Sequence, residues 1–203
     1  NQMLDCPAVS FLRILGNHGL LQYNDRPQWR TVTGGSREYV ERLVADGRFR
    51  ILTGCPVRRV ERSAAGVVVE DGLGFRDRFD HVVMATHADQ ALAMLKDPSP
   101  EERQCLSAFR YGRNRAVLHR DAKLMPRRRR LWSSWNYMAE RGAQGRSSSI
   151  TYWMNALQPL ATSTDIFVSL NPQREPEAAL VEREFAYEHP SFTAEAGLMQ
   201  KRL

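Results

Sequence analysis

Apolar positions come in short runs whose spacing changes along the chain. Over residues 1–23, Val9, Leu12, Leu15, Leu20 and Leu21 recur near helical spacing, and Phe11 and Ile14 widen the stripe. That pattern predicts a helix with one core-facing side. Gly16 and Gly19 interrupt it and leave Asn17-His18-Gly19 as a turn; Asn24-Asp25-Arg26-Pro27 is a second break. Trp29–Thr33 is short and β-prone. After Gly34-Gly35, Ser36 suits an N-cap, Glu38 and Glu41 favour the first turns, and Tyr39, Val40, Leu43 and Val44 form an apolar face ending at Asp46-Gly47.

The spacing then shortens. Arg50–Leu52, Val57–Arg62 and Gly66–Glu70 read as strands separated by turns at Ser63–Gly66 and Asp71-Gly72. His81–Ala85 (His-Val-Val-Met-Ala) is a compact apolar run of the kind a buried strand needs. A helix is expected over Ala88–Leu95. Another starts with Ser99 as cap and Pro100 in the first helical position, ending near Phe109. From 113 to 171 the character is β, with Ala116–His119, Leu131–Tyr137, Ser148–Asn155 and Ile166–Leu170 as strands. Pro126–Arg130 and Arg141–Gly145 are the loops between them. Pro176 is expected to open a helix over Glu177–Phe185, and 193–203 is apolar-periodic as a helix would be.

Composition sharpens this only in places. A chain of 203 residues with 42% hydrophobic content can bury a sizeable core. No apolar run approaches the roughly 18–20 residues a membrane span requires. The N-terminus carries no basic region followed by an apolar stretch. Cys6, Cys55 and Cys105 form no CxxC pair, which suits a reduced, cytoplasmic setting. The net charge of +6 rests on arginine, since Lys96, Lys123 and Lys201 are the only lysines. Charge of this sign permits anionic partners without choosing among them. The strongest local feature is Arg127–Arg130, readable as a solvated hairpin loop, as a peripheral contact with lipid headgroups or a carboxylate, or as a nucleic-acid contact. No aromatic-interleaved basic stripe or recognition fold points to nucleic acid. The histidines at 18, 81, 87, 119 and 189 do not cluster as metal ligands would, so no metal is expected.

Gly34-Gly35 ahead of a helix lets backbone approach a ligand and offers a helix N-terminus to an anion, but it is not the GxGxxG dinucleotide fingerprint, which occurs nowhere in the chain. The order of segments says more. Gly-Gly-Ser with its helix, then Cys55-Pro56-Val57-Arg58-Arg59-Val60, then a Gly-turned strand pair, then Phe79-Asp80-His81-Val82-Val83-Met84-Ala85-Thr86-His87 resembles the middle of FAD-dependent amine oxidases and phytoene-desaturase-like enzymes. The wording at 17–22, 26–32, 85–92 and 133–137 resembles a bacterial branch of predicted NAD/FAD-binding proteins, and the likeness runs over nearly the whole chain.

The resemblance implies an α/β fold with an α+β substrate part. Residues 1–30 would be a helical substrate-domain segment, 31–87 part of an FAD-binding domain with a β-meander, and 88–203 a mixed-sheet substrate domain. It implies FAD as cofactor, a Rossmann-like unit before this region, and hydride transfer from an organic or lipid-like substrate to the flavin. The chain is then expected to be an internal piece that is inactive alone. Cofactor contacts would come from Gly34, Gly35, Pro56, Val57, Ala85 and Thr86. Trp135, Asn136, Tyr137, Tyr152, Trp153, Asn155 and Gln158 are candidates to line a substrate pocket, though aromatics of this kind also simply pack between sheet and helices. No acid/base pair stands out, as expected where the cofactor does the hard step. The alternative is a non-enzymatic module binding anionic lipid or nucleic acid through Arg127–Arg130.

Overall fold

A computed structural model describes residues 7–142 and 145–202, with side-chain surroundings left aside at 140–147. Expectations placed on residues 1–6, including Cys6, on Ala143-Gln144 and on Leu203 lie outside the described residues. The fold is mixed α/β, and its chain forms two compact units. The first takes 1–27, 49–111 and 190–203; the second takes 28–48 and 112–189. The 28–48 stretch groups with the second unit, and the C-terminal residues return to the first.

In the first unit, helix α1 (Ala8–Asn17) forms where the stripe begins, yet none of its residues is buried. A three-stranded antiparallel meander follows: β1 (Val57–Ser63), β2 (Gly66–Asp71) and β3 (Arg76–Phe79). Helices α3 (Ala88–Met94) and α4 (Pro100–Ser107) pack beside it, α3 against β1, and α6 (Ala194–Met199) packs against α4. The small core consists of Val60, Ala91, Cys105, Ala108 and Ala196. Cys105 is buried and unpaired by disulfide, with its Sγ 3.9 Å from the Met199 sulfur. α4 starts as its sequence dictates: the Ser99 hydroxyl accepts from the Glu102 N–H, and the Glu102 carboxylate accepts from the Ser99 N–H.

Arg50–Leu52 is not a strand, and neither is His81–Ala85. The latter is extended but joins no sheet, and no backbone hydrogen bond links residues 81–85 to any described residue. Val82 and Met84 are half-buried while Val83 between them is 89% exposed. A run that is apolar on both sides needs a neighbour on each, and the described residues supply cover on one side only.

The turn between β1 and β2 is specified by glycine. Gly66 has φ +117°, and a Cβ there would sit 2.7 Å from the Phe79 carbonyl oxygen of β3. Gly66→Ala is therefore expected to cost roughly 1–3 kcal/mol, read as a lowered urea midpoint. A midpoint within error of the parent would show that the meander does not depend on this close approach.

The second unit begins with α2 (Ser36–Asp46), whose N-cap is Gly35 rather than Ser36 and whose residues are all unburied. Its sheet has the order β5-β6-β7-β4-β8, from β4 (Tyr111–His119), β5 (Trp135–Gly142), β6 (Gly145–Trp153), β7 (Phe167–Leu170) and β8 (Val181–Pro190). A short helix, α5 (Met154–Leu157), follows β6. The helix expected over Glu177–Phe185 is instead a 3-10 turn and then β8. Period-two alternation decided it: Glu182, Glu184 and Glu188 lie on one side of β8 and pair with Arg120, Arg115 and Arg113.

The buried face of this sheet is polar as well as apolar. His119, Thr151 and Ser169 are fully or almost fully enclosed with Val117 and Phe167. His119 Nε2 lies 2.8 Å from the Ser169 hydroxyl, which lies 2.7 Å from the Thr151 hydroxyl. His119 Nδ1 accepts from the Asp121 N–H, so the ring's hydrogen is on Nε2 and is donated to Ser169. The Asp121 carboxylate in turn accepts from the N–H groups of Lys123 and Glu177. His119, Asp121, Ser169 and Thr151 each have a partner, which is the condition for burying them without penalty.

Candidate functional site

A cavity of about 610 Å³ lies wholly within the first unit. Val60, Arg62 and Val67 of the meander form one wall. Val82, Met84 and Thr86 form another, because alternate side chains of an extended segment point the same way. Ala91 and Leu95 of α3 and Leu106 of α4 close the apolar part, with Phe109 and Tyr111 beyond. The segment between β3 and α3 is thus held by side-chain packing where it has no backbone partner.

Two polar features border the cavity. Arg62 makes a two-pronged bond to Glu102 at 2.6 and 2.9 Å and also donates to the Asp97 carbonyl. The arginine holds the Glu102 carboxyl below its usual range, helped by the Ser99 N–H. The pair is therefore ionised, internally compensated, and not free to take an anion. The second feature is His87 stacked on Tyr111, with ring centroids 4.2 Å apart and planes 10° from parallel. The Ala88 N–H donates to the Tyr111 hydroxyl oxygen at 2.8 Å, leaving that hydroxyl's own hydrogen available. His87 Nδ1 is buried with no hydrogen-bond partner among the described residues. His87 is the N-cap of α3, and its side chain faces the Gln90 N–H in a capping-box arrangement.

The structure distributes the residues expected from the sequence. Thr86 lines the cavity; Ala85 is exposed beside it. Pro56 and Val57 are exposed at the start of β1, where the Pro56 carbonyl accepts from Gly72 and Val57 pairs with Asp71. Gly34 and Gly35 belong to the second unit and both have positive φ, 85° and 89°. A Cβ on Gly34 would meet the Glu38 side chain at 2.6 Å, whereas the space at Gly35 is open.

The pocket candidates of the second unit are not gathered in a cleft. Trp135 and Tyr137 share an exposed side of β5, with Tyr152 half-buried opposite Trp135. The Asn136 amide is spent on Ser133 and the Thr151 carbonyl, and the Asn155 amide on Thr164 and Ile166. Gln158 is half-buried after α5. Trp153 donates to Asp165. Among the described residues no group of three His, Cys, Asp or Glu could hold a metal, and no helix is long and apolar enough to cross a membrane. Arg62–Glu102 and His87–Tyr111 were not singled out from the sequence; the one local signal was the Ser99-x-x-Glu102 spacing.

A family model described as flavin containing amine oxidoreductase matches residues 5–119, more than half of the chain. No curated protein matches. Among solved structures, the crystal structure of CLA-producing fatty acid isomerase from P. acnes is similar, with a TM-score of 0.52 and 14% identity. The match covers 82% of this chain and 43% of that one, so this chain corresponds to less than half of that protein's length. At such identity the likeness concerns the fold alone.

Proposed function

The chain belongs to the flavin-containing amine oxidoreductase family, and from that premise we propose that it is a portion of an enzyme that oxidises an organic substrate. FAD is the cofactor, and when bound it supplies a hydride acceptor. The family match carries the reading, and the cavity beside Thr86 supports it.

The residues present suit part of this cofactor. Apolar walls from Val60, Val82 and Met84 exclude water, as a flat aromatic group requires. Thr86 and the Tyr111 hydroxyl provide polar contacts at one end. Nothing lining the cavity suits a pyrophosphate, since Arg62 is engaged by Glu102 and no glycine-rich loop is at hand. Gly34, Gly35, Pro56, Val57 and Ala85 remain our further candidates for cofactor contact. The substrate side would draw on Trp135, Tyr137, Tyr152 and Gln158, with Asn136 and Asn155 holding backbone around them. In this reading the redox step is left to the cofactor.

Purified chain should carry far less than one FAD per molecule, and the protein from the complete gene close to one, judged by visible flavin absorbance. Tyr111→Phe in the complete protein keeps the ring stack and removes the hydroxyl at the cavity; roughly tenfold weaker FAD retention is expected. Stoichiometric FAD on the chain alone, or none on the complete protein, would overturn the reading.

A further inference from the structure

The arginine run at 127–130 is not one feature. Arg129 is engaged along the surface. It makes a two-pronged bond to Asp165 at 2.6 and 3.0 Å, and its guanidinium lies 4.6 Å from the Trp132 ring centre and 5.4 Å from that of Trp153. Trp153 donates to the same carboxylate, and Trp132 donates to the Pro126 carbonyl at 2.7 Å, closing the loop on itself. The Leu131 and Trp132 N–H groups bond back to the carbonyls of Arg128 and Arg129. Arg129 is thus a fastener.

Arg127, Arg128 and Arg130 are exposed, and none has a hydrogen-bond or ion-pair partner among the described residues. Some arginines elsewhere, Arg62, Arg76, Arg113, Arg115 and Arg120 among them, face a carboxylate. Three uncompensated guanidinium groups therefore stand together on a fastened turn, and Leu131, 60% exposed, stands next to them.

We propose that Arg127, Arg128, Arg130 and Leu131 form a docking surface for a membrane face rich in anionic lipid. Guanidinium groups match the phosphate and carboxylate oxygens of such headgroups. The adjacent leucine has an apolar layer to enter, giving the combination of charge and apolar insertion that holds peripheral proteins on bilayers. A phosphodiester backbone offers a leucine nothing comparable. The turn is already fixed by Arg129, Trp132 and Asp165, so little chain entropy is lost on contact.

Vesicle co-sedimentation of the full chain tests this. Binding is expected to phosphatidylcholine vesicles containing phosphatidylserine, not to phosphatidylcholine alone, and to weaken as salt is raised. Replacing the three free arginines together (Arg127→Ser, Arg128→Ser, Arg130→Ser) should reduce affinity on the order of 100-fold, about fivefold for each. Leu131→Ser should reduce it roughly tenfold, and lysine at the three positions should retain binding. All four side chains are exposed, so the thermal unfolding midpoint should hold in every variant. Equal binding to neutral vesicles, or undiminished binding by the triple variant, would overturn the proposal. So would full displacement by inorganic phosphate at matched ionic strength, which would mean a single-anion site. Tighter binding to a single-stranded oligonucleotide, indifferent to Leu131→Ser, would assign the surface to nucleic acid instead.

Discussion

Replacing Phe167 with alanine is expected to cost about 3–5 kcal/mol, a large share of what an ordinary domain has to lose. Phe167 is fully buried in β7, with β4 on one side and β6 on the other. Its register partners are His119 and Trp153, and its ring sits 5.5 Å from His119 and 5.6 Å from Trp132, edge-on to the latter. Removing the ring would leave a void that the neighbours cannot fill, because His119 is held by Ser169 and Asp121, and Trp132 by Pro126. Phe167→Leu keeps most of the volume and should cost under about 1.5 kcal/mol. The two are compared by denaturant unfolding of the full chain. An alanine variant no weaker than the leucine variant would mean the ring is not central to this core.

Acidification is expected to weaken the second unit from near neutrality downward. Burial lowers the His119 pKa, and the hydrogen-bond pattern explains why a proton is unwelcome: a hydrogen on Nδ1 would point at the Asp121 N–H. The unfolded chain takes up that proton near pH 6.5, where the folded chain does not. Stability is therefore complete above about pH 6.5 and is lost as pH falls below it towards the folded value. Burial pulls the Asp121 carboxyl upward, but the N–H groups of Glu177 and Lys123 outweigh it and leave the pKa lowered. It adds a second loss, beginning near pH 3.9. His119→Leu should be weaker by about 1–3 kcal/mol at pH 8, since Ser169 and the Asp121 N–H lose their partner, yet flatter between pH 8 and 5. An equally steep profile in that variant would remove His119 as the cause.

How far the sequence foretold this depended on whether a signal was local. The start of α4 was legible because its cap, proline and acidic residues sit within four positions, and β1 and β2 because their turns carry the expected residues. β3 left no trace: Arg76, Asp77, Arg78 and Phe79 are all exposed, so no apolar run announces it. Pro176 suggested a helix over Glu177–Phe185, while the alternation of the glutamates, which matters only once arginines lie opposite, made β8. At the site, His87 and Tyr111 are 24 residues apart, and Arg129 and Asp165 are 36 apart. Nothing in the run 127–130 distinguishes the fastener from its neighbours until Asp165 is brought beside it.

The two margins of the five-stranded sheet differ in how they would behave at high protein concentration. β8, the longer exposed margin, is studded with paired arginine and glutamate, and another chain adding there would have to separate those charges. β5, the opposite margin, presents Trp135 and Tyr137 to solvent. Self-association through strand addition would therefore start at β5 and be resisted at β8, so aggregates should form head-on in pairs rather than as growing fibres.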